Sequence, residues 1–350
     1  MRLARGREGD PGGLAMADFI FLKKTARCAQ GSGRKPIKTM QPPSTSHNQP
    51  SSRPAAESQA AHSADSAEMR IDELAFRLQP HYSRFDVAGR LLFTGHSHQA
   101  WPDEAFDAVR EYEQMVCREV DGKWAHAFAK TELLRGYLRR FYDDPDGAWC
   151  CGLNTHMLLV SWLSSLDLKS KPRILATDGE FHSMHRQLTA LQPLGLQVDW
   201  LPHRDPDALV EKMQAAIGPD VSAVMVSRVF FETAMVNTAL ARIAEIAREW
   251  GVPVLVDDYH GTNVVPLSLR TQGLEDVHLL IGGYKYLQWG EGNCFLRFPR
   301  DCGMRPVVTG WFASFGTLDS PRSPGRVDFD PGDQRFASAT YDPVSQYRAS

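Results

Sequence analysis

The chain has 350 residues, of which 43% are hydrophobic and 23% charged, with a net charge of −3. That is enough chain for a large domain with a sizeable core, and the near-neutral balance gives no global sign of nucleic-acid binding. No run of 18 apolar residues suggests a membrane span, and six cysteines without a CxxC spacing exclude a disulfide scaffold. A cytoplasmic protein with reduced thiols is expected.

Residues 1–68 are rich in Ser, Pro, Gln, Ala and Arg, as in "QPPSTSHNQPSSRPAAESQAAHSADSAE". Such a composition cannot bury enough apolar surface to offset its ordering entropy, so a disordered tail is expected. Next, "EAFDAVREYEQMVCREV" and "HAFAKTELLRGYLRRFY" have helical spacing, and "THMLLVSWLSSL" reads as a buried helix opening at Asn154–Thr155. Short apolar runs follow: "RILAT", "QVDWL", "SAVMVS", "VPVLVDD", "HLLIGG" and "CFLRF". Between most of them lie helical segments such as "SMHRQLTALQPL", "DPDALVEKMQAAI" and "TALARIAEIAREW". This alternation predicts an α/β fold with a mostly parallel sheet sandwiched by helices. The final "YDPVSQYRAS" predicts no closing helix. In open α/β sheets, ligands bind beyond the carboxyl ends of the strands. Asp257 ends one strand and Lys285 follows the next, so both fall where a site belongs.

Lys285 sits in "IGGYKYLQWGEG", between two tyrosines and among glycines. Burial disfavours the ammonium form, and a neutral amine is a nucleophile that forms Schiff bases with aldehydes. Glycines beside it are expected to let a flat cofactor approach the backbone. Pyridoxal phosphate (PLP) also needs a carboxylate on its ring nitrogen. Asp257, at the end of an apolar strand 28 residues earlier, supplies one.

Taken together, "DDYHGTNVVPL" and "GGYKYLQWGEGNCFLRF" resemble the kynureninase branch of the class V, fold-type I PLP-dependent enzymes, over most of residues 85–350. The resemblance implies a fold-type I PLP-dependent transferase fold. It makes Lys285 the Schiff-base lysine and Asp257 the ring-nitrogen partner. Tyr284 would reach the phosphate and His260 the ring's 3-oxygen side. "CGLNTHMLLV" stands at the family's phosphate loop, which nominates Gly152, Asn154 and Thr155. A helix N-terminus suits a phosphate. "DGEFHSMHRQL" places Phe181 where an aromatic stacks on the ring, with Met184 where kynureninases carry an aspartate. "LLFTGHSHQAWP" nominates His96 and Ser97 as substrate contacts. "TGWF" nominates Trp311 for a phosphate in the dimer partner, and "FASATYDP" nominates Thr340 for a similar phosphate-binding position. "SRVFFETAMV" puts Ser227 and Thr233 near the cofactor.

The implied organisation is an N-terminal segment over 69–110 and a PLP-binding large domain over 111–350. A small C-terminal domain would begin near 300–350 and is apparently truncated. The implied function is kynureninase-like C–C bond hydrolysis of an amino acid in a homodimer, with class V transamination as the alternative. A less favoured alternative is a truncated homologue with impaired turnover, since Arg348 does not match the expected carboxylate clamp. A desulfurase would need a mobile-loop cysteine, and Cys294 and Cys302 are the only candidates downstream of the lysine. Another reading, a metal hydrolase using His96, His98, His182, His185, Asp257, Asp258 and His260, leaves Lys285 unexplained.

Overall fold

The computed structural model describes residues 70–321 and 323–350. The tail expected over 1–68 lies outside the described residues.

Seven strands form one sheet: β1 (Ala148–Gly152), β2 (Arg173–Thr177), β3 (Gln197–Leu201), β4 (Val221–Ser227), β5 (Val254–Asp257), β6 (His278–Gly282) and β7 (Cys294–Phe298). Their spatial order is β1-β7-β6-β5-β4-β2-β3. β6, β5, β4, β2 and β3 are mutually parallel, and β7 runs antiparallel to both β6 and β1. β4 and β5 are buried at every position, because helices cover both faces of the sheet.

Helices α1 (Asp103–Glu119) and α2 (Lys123–Phe141) precede the sheet. α3 (Thr155–Leu163), α4 (His182–Leu191), α5 (Pro206–Ala216) and α6 (Leu240–Glu249) lie between strands. α6 shows a buried stripe and α5 a start signal. In α6, Leu240, Ile243, Ala244 and Ala247 recur at helical spacing and are the buried residues. At α5, Asp205 accepts from the N–H groups of Asp207 and Ala208, and Pro206 occupies the first turn. α2, α5 and α6 pack on one face, against Val224, Val226, Val254 and Val256. α3 and α4 pack on the other, against Ala223, Met225, Leu255 and Leu280. Successive residues of β4 and β5 alternate between these two cores, as the pleat requires. By the same alternation Asp257 follows Leu255 to the α3–α4 face.

Two elements differ from expectation. β1, "AWCCG", was not expected to be a strand, having no β-branched residue, yet Trp149 and Cys150 are fully buried in it. The chain also ends in a helix, α7 (Val344–Ala349), where none was expected. Six residues cannot hold a helix by propensity. Packing holds this one: Tyr347 is fully buried against α1 and α2, and the Gln346 amide donates to the Gly292 carbonyl at 3.0 Å.

Candidate active site

The carboxyl ends of β5 and β6 lie side by side, with Asp257 paired in register with Leu280. The chain leaves β6 through Gly282 and Gly283 and turns directly into Tyr284 and Lys285. The glycines do something other than expected. A Cβ on Gly282 would lie 1.7 Å from the Tyr259 ring, and one on Gly283 would meet the Trp289 Cβ at 2.8 Å. They make room for the protein's own side chains rather than for a ligand. Gly290 and Gly292 take positive φ angles of 68° and 84° and turn the chain under α7. There Arg348 donates to the carbonyls of Trp289 and Glu291 and lies over the Trp101 ring at 4.4 Å. Arg348 is therefore a brace on the lysine loop, and it does not line the lysine's cavity.

That cavity is about 200 Å³ in volume and is lined by Asn154, Thr155, Phe181, Asp257, His260, Tyr284 and Lys285, among others. Seven of the residues singled out from sequence thus surround one space. Lys285 is 6% exposed. Its amine donates to the His96 carbonyl and faces the rings of Tyr259 and Tyr284 at 5.8 and 5.5 Å. Burial lowers its pKa, and the Asp257 charge partly opposes this. Burial pushes Asp257 up to about 6, while the Tyr259 N–H, donating at 2.9 Å, stabilises its charged form. Burial takes His260 down to about 4, with the Lys285 charge adding to the effect, so its imidazole is neutral at pH 7.

The neighbouring Asp258 points the other way. It is fully buried, takes the Arg228 Nε at 2.5 Å and the Tyr142 hydroxyl at 2.6 Å, and does not line the cavity. Of the two adjacent carboxylates, one is committed to the fold and one faces the site.

At the opposite wall, α3 begins. Asn154 caps it, its Oδ1 accepting from the Met157 N–H at 2.9 Å. Thr155 Oγ1 is buried without a hydrogen-bond partner among the described residues. Phe181 precedes α4 and lies 6.2 Å from the His260 ring. A turn over 94–98 crosses the lysine loop. The N–H groups of Ser97 and His98 donate to the Thr94 carbonyl, and the Gln99 N–H donates to that of Tyr284 at 3.1 Å. His96 meets Lys285 through its backbone. The Ser97 hydroxyl is engaged with His98 Nδ1 at 2.9 Å, and the His98 ring stacks on Tyr284 at 4.8 Å.

Three nominated residues stand apart. Gly152 and Thr340 line a second cavity of about 150 Å³. Trp311 is about half exposed, its indole N–H donating to Thr340 Oγ1 at 3.1 Å. Cys294 is buried in β7, and Cys302 lies 3.8 Å from His278, so neither cysteine reaches the cavity. The histidines and acids weighed as metal ligands do not gather into a ligand set among the described residues. Five lining residues that sequence reasoning missed are His156, Leu159, Ser183, Tyr259 and Leu280. Tyr259 was detectable in principle, since it lies between the two motif positions Asp257 and His260.

An amine of lowered basicity, a buried carboxylate, an aromatic face and a helix start with an unpartnered hydroxyl converge on one space. This donor set fits PLP, which asks for these partners.

No protein-family model matches the chain. It is 24% identical over 244 residues to the uncharacterized aminotransferase YcbU of Bacillus subtilis, spanning 69% of this chain and 64% of that protein. It is 32% identical over 123 residues to isopenicillin N epimerase of Amycolatopsis lactamdurans, spanning 35% of this chain and 28% of the epimerase. The chain therefore spans less than two thirds of the length of both relatives. Among solved structures, a C-DES variant with glycine covalently linked to its PLP cofactor superposes with a TM-score of 0.62 at 19% identity, covering 77% of this chain and 71% of that one. The cysteine desulfurase CsdA of Escherichia coli gives 0.58 at 18% identity, covering 73% and 65%. The chain has the fold of these enzymes, fold type I, as its motifs implied.

Proposed function

We propose that this chain is a PLP-dependent enzyme that acts on an amino acid through Lys285. The observation that carries the reading is the convergence of the Lys285 amine and the Asp257 carboxylate on one cavity, beside Phe181 and the start of α3. When bound there, PLP supplies an aldehyde for an amine and a ring that takes up electrons from the bond that breaks. The protein's residues do the rest. Asp257 holds a proton on the ring nitrogen. Phe181 bears on the ring face, His260 serves its 3-oxygen side, and Tyr284, Asn154 and Thr155 attend the phosphate. Lys285 would move a proton at the substrate's α-carbon, a task suited to a buried amine of lowered basicity.

Two outcomes share these steps. In C–C hydrolysis, water adds to a side-chain carbonyl and the Cβ–Cγ bond breaks, releasing alanine and an acid. The kynureninase-like motifs around Asp257 and Lys285 support this reading. In transamination the amino group passes to a keto acid, and the name of the Bacillus relative supports that reading. We place the large domain at 111–350 and expect a homodimer in the cytoplasm, with His96 and Ser97 near the substrate, and with Trp311 and Thr340, which stand apart from this chain's own cavity, serving the cofactor phosphate of the partner subunit.

The test is the visible absorbance of the purified chain mixed with PLP, before and after borohydride. A yellow band, lost on reduction and absent in Lys285→Ala, is expected. A wild-type chain that stays colourless overturns the reading. Kynurenine, and amino-acid and keto-acid pairs, then separate hydrolysis from transfer.

A further inference from the structure

One buried acid next to the site has no part in the reading above. Glu180 is 4% exposed and directly precedes Phe181. Its carboxyl is surrounded by donors from two strands. Oε1 accepts the Ser227 N–H at 2.9 Å and the Thr177 hydroxyl, and Oε2 accepts the Ser227 hydroxyl at 2.7 Å. Thr177 is the last residue of β2 and Ser227 the last of β4. These strands are neighbours, and Ser227 is in turn paired in register with Asp257 on β5. One carboxyl thus joins the ends of two strands and stands one strand away from the acid that faces the site.

We propose that Glu180 is a positioning residue of the Lys285 site: it fastens the ends of β2 and β4 beneath Phe181, and its charge state is coupled to that of Asp257. This deepens the PLP reading and, for its effect on the cofactor, rests on it. The coupling follows from the surroundings. Among the described residues no cation offsets Glu180: Arg228, next to Ser227 in the chain, is turned to Asp258, and His203 is engaged with Asp178 at 2.6 Å. The groups that face Glu180 are the two hydroxyls, one N–H and the charge of Asp257. Burial is the main cause that holds its proton on, up to about 7; the Ser227 and Thr177 hydroxyls oppose it, and the Asp257 charge adds to it. Two carboxyls in a dry neighbourhood do not both ionise freely. With Glu180 neutral, Asp257 carries the charge that the ring nitrogen requires. With Glu180 ionised, a second negative charge strengthens the hold on that ring proton.

The test is a pH titration of the purified full chain, read in the side-chain carboxyl carbon-13 signals, with Glu180→Gln identifying the Glu180 resonance. Asp257→Asn is expected to lower the Glu180 midpoint by about 1 pH unit. Ser227→Ala, which removes one bond to the ionised form, is expected to raise it. This second variant decides the matter if Glu180→Gln does not fold, since the resonance that moves in opposite directions in the two variants is that of Glu180. A midpoint indifferent to Asp257→Asn overturns the coupling. In the PLP-loaded chain, Glu180→Gln is expected to shift the pH midpoint of the visible band. A merely structural clamp would leave it in place, because the glutamine oxygen still accepts from Ser227. An unmoved band overturns the positioning role. A colourless wild type fails the PLP reading instead, and the carboxyl titration then decides the coupling alone.

Discussion

Asp257 and Asp258 are the same residue type, adjacent in sequence and both buried, yet their surroundings separate them. Asp258 has a guanidinium at 2.5 Å and a phenol at 2.6 Å, so its charge is matched within the fold. Among the described residues, Asp257 has only a backbone N–H at bonding distance and the Lys285 amine across the cavity, so its charge is available to a ligand. Their asparagine variants should therefore fail differently. Asp257→Asn is expected to fold, to take up PLP and to lose turnover by about 100-fold or more, since a preorganised charge at the reacting group is gone. Asp258→Asn leaves Arg228 buried and unpaired, and is expected to cost about 3–5 kcal/mol in urea denaturation while the folded fraction keeps its visible band. A reversal of the two phenotypes would mean that the wrong aspartate has been assigned to the site. Sequence singled out Asp257 by its place at the strand end. It could not show that Asp258 is spoken for, because Arg228 is 30 residues away and Tyr142 is 116.

Among the elements, the lysine loop depends on what is packed beneath it. Lys285 is held by the end of β6, by the 94–98 turn above it and by α7 beside it. Gly282 is where the fit is tightest, because the Tyr259 ring occupies the volume of the missing Cβ. Gly282→Ala must push Tyr259 aside, and Tyr259 both lines the cavity and donates its N–H to Asp257. The substitution is expected to cost about 1–3 kcal/mol of stability and to weaken PLP retention by about tenfold, measured by dialysis and absorbance. Unchanged retention would show that Tyr259 does not set the geometry of the site. Most elements were legible in the sequence because their hydrophobic periods are strong. β1 and α7 were not. β1 is hydrogen-bonded only to β7, nearly 150 residues later. α7 is a helix because α1, α2 and the lysine loop shape a place for it. Neither depends on local propensity, so neither leaves a local signal.

At the scale of the whole molecule, the buried acids at the strand ends oppose the stability of the chain. Asp257 and Glu180 have folded-state values of about 6 and about 7, above the usual carboxyl range of about 4. The folded chain therefore binds protons that the unfolded chain has lost. Their contribution to stability is fully present below about pH 4 and disappears as pH rises through 6 and then 7. His260 has the opposite sign. Its proton affinity is depressed to about 4, so the stability deficit it brings at low pH is relieved as pH rises towards the usual imidazole value of about 6.5. Glu180→Gln cannot ionise and should escape its share of the loss. Its stability relative to wild type is expected to rise by about 2 kcal/mol between about pH 5 and pH 8 in urea denaturation. A difference that stays flat across this range would mean that Glu180 titrates normally.

The sequence by itself determined the fold class and the parallel core strands, and it singled out Lys285 and Asp257 by their places after strand ends. Hydrophobic period and strand-end position are local properties. Tertiary structure alone decided that Asp258 is committed to Arg228 and Tyr142, why the glycines beside Lys285 are there and that Arg348 braces the loop. It also gathered Asn154, Thr155 and Phe181 onto the same space while leaving Gly152, Trp311 and Thr340 outside it. Those outcomes depend on packing between residues far apart in the chain, and burial and charge compensation at such contacts have no counterpart in local sequence.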